Sequence, residues 1–345
     1  MSTHIASKKI LLAPAPRKVA EIFSNDDLAR LKAIGELTIH ESAPFPDDRF
    51  KEVASDLQMI LGQIDLPESR LRRTGALKAI FNVEGNFLPN IDYDYCFAHK
   101  IRVLNISPVF AEPVAEAALG MAIDLARGIS VSDRNFRRGH EEYGLSANRR
   151  AFSLFRQDIG FIGFGDLAKA ILPLLRPFAC RIRAYDPWLS AELLQTFECE
   201  AASLDDVLRH SRVIFVVAGA TTQNQGFLGP KQFSLMQPDS ALVLLSRAAV
   251  VDFDAMLDFA ARGAIRVATD VYPQEPLPAT HPARQNENTL LCAHQAGALE
   301  TALKRIGKMV VSDAELIARG LPPVLCKPAQ PETVLSFRSR PVDHT

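Results

Sequence analysis

The chain has 345 residues, of which 48% are hydrophobic, and its formal net charge at pH 7 is −1. This length predicts two domains of ordinary size, each with its own apolar core. The balanced charge offers no electrostatic footprint for nucleic acid or for an anionic membrane surface, so we expect a globular protein whose partners are small molecules.

The cysteines and the N-terminal residues bear on where the protein works. The five cysteines are odd in number and scattered along the chain, which suggests neither a disulfide framework nor a metal site. The apolar stretch near the N-terminus is short and soon broken by prolines, unlike a secretory signal, and no other stretch approaches the length of a membrane span. The expected location is therefore the cytoplasm, with no bound metal.

Two series of short β-rich segments follow one another along the chain. The first comprises KKILLAPAP, ELTIHES, LQMILGQI, LKAIFNV and IRVLNIS, and the second DIGFIG, RIRAYD, RVIFVVAG, ALVLLSR, IRVATDVY and TLLCAH. Helix-like patterns separate most of these segments, and this alternation predicts parallel sheets covered by helices. The second series is almost continuously apolar, as expected for strands whose sheet is covered on both faces.

Two longer helices are predicted on either side of the second series. Residues 111–129 are alanine-rich and apolar almost all round, which predicts a helix buried between domains. Residues 299–320 carry apolar residues at helical spacing. The polar stretch 134–157 is expected to be a connection or a protruding arm, and the proline-rich tail beyond 320 to pack on existing structure or fray.

The segment DIGFIGFGDLAKAI, residues 158–171, places two glycines where an apolar strand gives way to a helix. Gly163, Gly165 and Ala168 have the spacing GxGxxG/A, in which the first residue permits a tight turn, the second lets backbone approach a pyrophosphate, and the third lets helix pack on strand. Asp166 and Leu167 begin the helix whose free amides would face the anion. Alone, the motif is about as typical of a structural turn as of a nucleotide site.

The end of the next strand favours the nucleotide interpretation. RIRAYDP places Asp186 about 20 residues after the glycines, where a carboxylate accepts hydrogen bonds from ribose hydroxyls and repels a 2′-phosphate, so NAD is preferred to NADP. The alternative for Asp186 is a turn cap before Pro187. Asp166 is unfavourable for an anion site if its carboxylate points inward.

Three ionisable residues stand at or just beyond the ends of consecutive predicted strands: Arg247, Glu275 and His294. Arginine can grip a carboxylate with two hydrogen bonds, histidine can transfer a proton near neutral pH, and a carboxylate can orient the imidazole. Because ligands collect at the carboxyl ends of strands in such sheets, the three residues predict oxidation of a hydroxyl beside a carboxylate. Each alone has a structural explanation, as an ion-pair member, a solvated loop charge or a half-buried histidine.

In this order and spacing the motifs resemble those of the D-isomer-specific 2-hydroxyacid dehydrogenases. The likeness is strongest over 158–300 and is carried by GFGDLA, YDP, LLSRAAVVD, DVYPQEPLP and AHQAGALETA, with a weaker match at NID, residues 90–92. The resemblance implies an α/β fold of two Rossmann-like doubly wound domains. An NAD-binding domain, 111–299, would be inserted into a flavodoxin-like substrate domain, 1–110 and 300–345. Relatives commonly pair through the nucleotide domain, so a homodimer is expected, with the 134–157 arm as a candidate contact.

The resemblance also implies roles for individual residues. Arg247 would bind the substrate carboxylate and polarise the carbonyl, His294 would be the general acid and base, and Glu275 would be the partner of His294. Backbone amides near Asn86 and Phe87 would hold the substrate carboxylate. The implied reaction is reversible hydride transfer between NAD and C2 of a small 2-hydroxy or 2-keto acid.

For the cofactor, the resemblance places Ser246 and Asp270 near the nicotinamide amide and Thr221 along the dinucleotide. Asp270 has an alternative as a strand-end turn residue. The cofactor-binding set implied for the glycine motif and the following strand is Gly163, Gly165, Asp166, Leu167 and Asp186.

This chain departs from the family pattern at three positions. Ala248 follows Arg247 where the family usually has glycine, and Asp166 stands where a basic residue is usual. Phe87 replaces the second glycine of the substrate loop, and Phe87, Leu88 and Pro89 together predict a differently shaped and more apolar binding site.

Two other functions fit parts of the same pattern. One is a dehydrogenase for a phosphite-type anion, which no single residue excludes. A formate dehydrogenase is disfavoured, because the formate enzymes that resemble this family have glutamine at the position of Glu275. The other is an NAD(H)-sensing binding protein like the transcriptional corepressors of this fold, which the absence of a basic patch disfavours.

Overall fold

The computed structural model describes residues 9–221 and 223–334. Its strands are β1 (Lys9–Ala13), β2 (Glu36–Ile39), β3 (Leu57–Gly62), β4 (Ala79–Asn82), β5 (Arg102–Asn105), β6 (Asp158–Ile162), β7 (Arg181–Tyr185), β8 (Glu200–Ala201), β9 (Val213–Val216), β10 (Ala241–Leu244), β11 (Arg266–Thr269), β12 (Thr289–Leu291) and β13 (Lys327–Pro328). Its α-helices are α1 (Val19–Ile22), α2 (Asn25–Ile34), α3 (Asp47–Val53), α4 (Glu68–Leu71), α5 (Tyr93–Ala98), α6 (Ala111–Arg127), α7 (Ile129–Arg137), α8 (Asp166–Leu175), α9 (Ala191–Gln195), α10 (Leu204–His210), α11 (Pro230–Phe233), α12 (Phe253–Ala261), α13 (Glu300–Ala318) and α14 (Pro331–Val334).

The described residues form two compact units. The terminal unit comprises the described residues up to Phe110 together with those from Ala298 onward, and the central unit comprises residues 111–297. None of the helices in the described parts of the chain combines the length and the apolar character needed to cross a bilayer.

The terminal unit is built on a sheet with the strand order β2-β1-β3-β4-β5-β13. Strands β1 to β5 are parallel, and only the short β13 pairs antiparallel, with β5. Alternate side chains of β1 enter different cores: Ile10 packs with residues of α13 on one face, and Leu11 packs with residues of α3, α4 and α5 on the other. Covering both faces explains the continuous apolar segments of the sequence.

The central unit is built on a parallel sheet with the order β12-β11-β10-β9-β6-β7-β8. Every residue of β9, β10 and β11 is buried. Helix α6 packs against α8, β10 and β11 through its alanine-rich side. The order runs in opposite directions from β6, so β6 and β9 flank the point at which a doubly wound sheet binds ligands.

The predicted α/β fold with two doubly wound sheets is confirmed, and two local features go beyond the sequence prediction. The start of the 134–157 arm belongs to helix α7, which has no buried residue. Strands β8 and β13 are two-residue edge strands with exposed side chains, which leave no apolar pattern in the sequence. The described part of the tail packs back through β13 and α14, one of the two outcomes expected for it, and residues 335–345 lie outside the described residues.

Candidate functional site

The glycine loop lies between β6 and α8, at the point where the central sheet changes direction. Gly163 has φ +87°, and a Cβ there would lie 2.5 Å from Cα of Ala218, in the loop after β9. Around Gly165, by contrast, a Cβ would meet no atom within 4 Å, so its backbone is open to approach. The loop therefore fits a bound pyrophosphate in the way that the glycine spacing predicts.

The first residues of α8 complete this loop. Asp166 is the first residue of the helix and Leu167 the second, and both are partly exposed. A carboxylate in the first turn interacts favourably with the helix dipole, which accounts for Asp166 in structural terms.

Asp186 follows β7 and is bonded to the glycine loop. Its Oδ2 accepts a hydrogen bond from Phe164 N at 2.8 Å, and its Oδ1 accepts one from Trp188 N at 2.9 Å. The carboxylate therefore acts as a turn cap. An ionised carboxylate has about four acceptor positions, so these two bonds leave capacity for ribose hydroxyls.

Thr221 lies in the loop after β9, where local hydrogen bonds shape the chain. Its N donates to Asn224 Oδ1 at 2.7 Å, and its Oγ1 accepts from Gln223 N at 3.2 Å. Asn224 Nδ2 in turn donates to Gly219 O at 2.8 Å.

Ser246 and Arg247 come directly after β10. Ser246 is 6% exposed, and within the described residues its Oγ is a buried hydroxyl without a hydrogen-bond partner. Such a group is costly unless a ligand or water satisfies it, so it suits the amide of a bound nicotinamide. Arg247 is partly buried, and its Nη1 donates to Ser246 O at 2.7 Å.

Asp270, at the end of β11, is bonded to the chain that follows β12. It is 3% exposed, and its Oδ1 and Oδ2 accept from the backbone N of Gln295 and Ala296, each at 2.9 Å. These amides come immediately after His294. Sequence reasoning placed Asp270 beside the cofactor and missed this link, because it depends on β11 and β12 being neighbours in the sheet.

Glu275 and His294 form a hydrogen-bonded pair. Glu275 Oε2 lies 2.6 Å from His294 Nδ1, and Glu275 Oε1 accepts from Tyr272 N at 3.0 Å. When the Glu275 carboxylate is ionised it can only accept, so Nδ1 is then the donor of this bond and Nε2 is left for a substrate atom. The His294 side chain is 39% exposed and the Glu275 side chain 19%.

The predicted residues of the central unit lie along one edge of its sheet. The glycine loop follows β6, and the residues beyond β9, β10, β11 and β12 follow in the order of the sheet, with Asp186 beyond β7 on the other side. Four steps between neighbouring strands separate β6 from β12, which is about 19 Å. This edge can hold an extended anionic ligand at one end and carry out proton transfer at the other.

Asn86 and Phe87 belong to the terminal unit, in the loop after β4. Phe87 is 6% exposed and packs edge to face with Tyr93 in that unit's core. What Phe87 offers a ligand is therefore its backbone and not its ring, and the more apolar binding site expected from Phe87, Leu88 and Pro89 stays a prediction. Within the described residues there is no cluster of three metal-ligating side chains.

Comparisons with known proteins show which protein family this chain is similar to. The family model "D-isomer specific 2-hydroxyacid dehydrogenase, NAD binding domain" matches residues 119–296, more than half of the chain. A glyoxylate reductase from Thermofilum pendens is 25% identical over 323 residues, which cover 89% of this chain and 93% of that protein. A D-3-phosphoglycerate dehydrogenase from Methanocaldococcus jannaschii is 22% identical over 304 residues; the match covers 88% of this chain but only 57% of that longer protein.

A solved structure is also similar over nearly the whole length. The crystal structure of a phosphoglycerate oxidoreductase from Rhizobium etli has a TM-score of 0.84 and 43% sequence identity. The match covers 94% of this chain and 99% of that one.

Proposed function

Because the chain belongs to the family of D-isomer-specific 2-hydroxyacid dehydrogenases, we propose that it is an NAD-dependent oxidoreductase acting on C2 of a small 2-hydroxy or 2-keto acid. The observation that carries the proposal is the row of side chains along one sheet edge. In that row His294, hydrogen-bonded to Glu275, follows β12. Arg247 follows β10, which is two strands away in the sheet.

Bound NAD would supply the hydride acceptor or, when reduced, the hydride donor. In the proposed reaction His294 Nε2 removes the hydroxyl proton during oxidation and returns it to the carbonyl oxygen during reduction. Glu275 keeps the imidazole oriented through Nδ1. Arg247 grips the substrate carboxylate and stabilises the charge that develops on the C2 oxygen.

The remaining assignments follow the division of the chain. We propose that the terminal unit binds substrate and that backbone amides near Asn86 and Phe87 hold the carboxylate. In the central unit, Gly163 and Gly165 would face the pyrophosphate, and the Asp186 carboxylate would bind ribose hydroxyls and favour NAD over NADP. The other proposed cofactor contacts are Asp166, Leu167, Thr221, Ser246 and Asp270.

We also propose that the protein works in the cytoplasm as a homodimer. All five cysteines are free, which is consistent with a reducing compartment. The 134–157 arm exposes large apolar side chains, with Phe136 at 62%, Tyr143 at 75% and Leu145 at 87% exposure. These exposed apolar side chains support the arm as the contact between the two copies.

The proposal is tested by mixing the protein with NADH and a panel of 2-keto acids at neutral pH, including glyoxylate, hydroxypyruvate, pyruvate and bulkier aromatic or branched acids. We expect NADH oxidation with at least one of them, and a weaker rate when NADPH replaces NADH. Absence of turnover across the whole panel would contradict the proposed activity.

A further inference from the structure

The terminal unit has a switch point of its own, between β1 and β3, and polar side chains gather there. Arg17 lies in the loop after β1, Gln63 directly follows β3, and Glu84 lies two residues beyond β4. The order of the parallel strands runs in opposite directions from β1, so the loops after β1 and β3 flank the switch point. This is the place at which a doubly wound sheet binds ligands.

Arg17 and Glu84 form an ion pair that joins the loop after β1 to the loop after β4. Arg17 Nη2 donates to Glu84 Oε2 at 2.8 Å, and Arg17 Nε donates to Val83 O at 3.2 Å. Gln63 Nε2 donates to the other carboxylate oxygen, Oε1, at 3.2 Å. The side chains of Arg17 and Glu84 are 21% and 22% exposed, so a ligand can reach a pair whose net charge is zero.

Amide side chains around the pair have hydrogen-bonding capacity left over. Asn82 Oδ1 accepts from Glu84 N at 2.8 Å, and Asn90 Nδ2 donates to Gln63 O and to Ile64 O, each at 2.9 Å. Among the described residues, buried Gln63 Oε1, Asn82 Nδ2 and Asn90 Oδ1 have no partner. Polar atoms with unused hydrogen-bonding capacity therefore surround the ion pair.

We propose that the Arg17–Glu84 pair selects the distal end of the substrate, favouring 2-keto acids that end in a hydroxyl over those that end in a second anion. The inference rests on the proposed function, in which amides near Asn86 and Phe87 hold the substrate carboxylate. Glu84 precedes Asn86 by two residues, which span at most about 7 Å, and the proposal places the substituent on C3 of a substrate held there against the pair.

The chemistry of the pair decides between the two substrate classes. A hydroxyl both donates and accepts, so it can donate to the carboxylate of Glu84 and accept from the guanidinium of Arg17. A phosphate or carboxylate can only accept when fully ionised, and it gains little net attraction because Glu84 already neutralises Arg17 and repels a second anion.

Two substrates that differ only at the distal group test the inference. We would measure kcat/KM for hydroxypyruvate and for 3-phosphohydroxypyruvate with NADH, and we expect the unmodified protein to prefer hydroxypyruvate. Glu84→Gln keeps the shape but removes the repelling charge, so the ratio of the two values should move toward the phosphorylated acid by about tenfold. Arg17→Gln should move the ratio in the opposite direction, and the double variant should return it toward the original value.

The control variant is Glu68→Gln, which removes a carboxylate from the exposed Glu68–Arg72 pair on α4 and should leave the ratio unchanged. A preference of the unmodified protein for the phosphorylated acid, or an unchanged ratio in Glu84→Gln, would overturn the inference. If no acid is turned over, the proposed reaction fails. Calorimetric binding of the same two acids to the NADH-loaded protein and variants then decides whether the subsite discriminates as stated.

Discussion

His294 is held in a backbone conformation that few histidines adopt. Its φ is +49°, in the left-handed region, where a residue other than glycine costs of order 1 kcal/mol or more. Glu275 fixes the ring through Nδ1, and Asp270 fixes the chain through the next two amides. Tyr272 adds a third tie, because its hydroxyl donates to Cys292 O at 2.6 Å. Burial raises the pKa of Tyr272 to about 12, so this hydroxyl remains a donor throughout the neutral range.

The separate roles of His294 and Glu275 can be measured with one substitution at each residue. His294→Ala removes the proton-transfer group and should lower kcat by at least about 100-fold while leaving the Kd for NADH nearly unchanged. Glu275→Gln keeps an acceptor for Nδ1 but removes the charge, and it should produce a smaller loss in kcat, of about tenfold. Steady-state kinetics and NADH fluorescence titration give both quantities. Loss of NADH binding in His294→Ala would show that the role assigned to this residue is wrong.

Asp270 should act on catalysis through the position of His294. Asp270→Ala leaves the amides of Gln295 and Ala296 without their acceptors, and a displacement of His294 by about 1 Å can lower kcat roughly 100-fold. The matched control is Asp258→Ala, which removes an exposed carboxylate from α12. A variant that binds NADH less tightly but retains its kcat would indicate that Asp270 contacts only the cofactor.

At the scale of elements, helix α13 packs closely on the first helices of the terminal unit. A Cβ at Gly307 would overlap the carbonyl oxygen of Ile22 and come within 2.9 Å of Asp27 Oδ2. The overlapping atom belongs to backbone, so it cannot move aside as a flexible side chain could. The glycine is therefore required by the contact between helices.

Gly307→Ala should lower the free energy of unfolding by about 1–3 kcal/mol, because an added methyl group forces α13 away from its neighbours. Gly120 on α6 is the matched control, since it is exposed and a Cβ there would have no atom within 4 Å. Gly120→Ala should raise stability by about 0.5–1 kcal/mol through helix propensity. Urea unfolding followed by circular dichroism measures both, and equal effects of the two substitutions would contradict the packing argument.

The sequence predicted the major strands, because buried parallel strands are continuous in apolar residues. It could not predict β8 or β13, whose two residues are exposed and whose existence depends on a neighbouring strand being present. The same limit applies within the site. The glycine spacing and the strand-end positions of Arg247 and His294 can be found in a linear pattern. The bonds from Asp270 to the chain after His294 require knowledge of which strands are adjacent.

At the scale of the whole molecule, the proposed ligand-binding groups of both units follow the carboxyl ends of parallel strands. In the central unit this edge carries the glycine loop and the Glu275–His294 pair. In the terminal unit the corresponding edge, at the carboxyl ends of that unit's own strands, carries the Arg17–Glu84 pair. The proposed assignment of NAD to one unit and of substrate to the other follows from the groups on each edge.

Hydrogen bonds and an ion pair hold the 134–157 arm against the rest of the central unit, while several of its apolar side chains are exposed. Arg138 Nη1 forms an ion pair with Glu287 Oε1 at 2.7 Å, and Phe152 N donates to Ala126 O at 2.9 Å. Between these ties, Tyr143 and Leu145 are largely exposed. A fixed arm with exposed apolar side chains is suited to contact a second copy of the chain, because its ordering cost is already met within one chain.

Leu145→Glu tests whether the arm makes that contact. Leu145 is 87% exposed, so the substitution should leave the fold of the single chain intact while placing a charge in an apolar interface. By light scattering after size exclusion we expect the unmodified protein at twice the 38.0 kDa chain mass, and the variant shifted toward the mass of one chain. Leu193→Glu, at a 41% exposed leucine on α9, is the control and should remain dimeric. A single-chain mass for the unmodified protein would contradict the dimer, and a fully dimeric Leu145→Glu variant would contradict the arm as its contact.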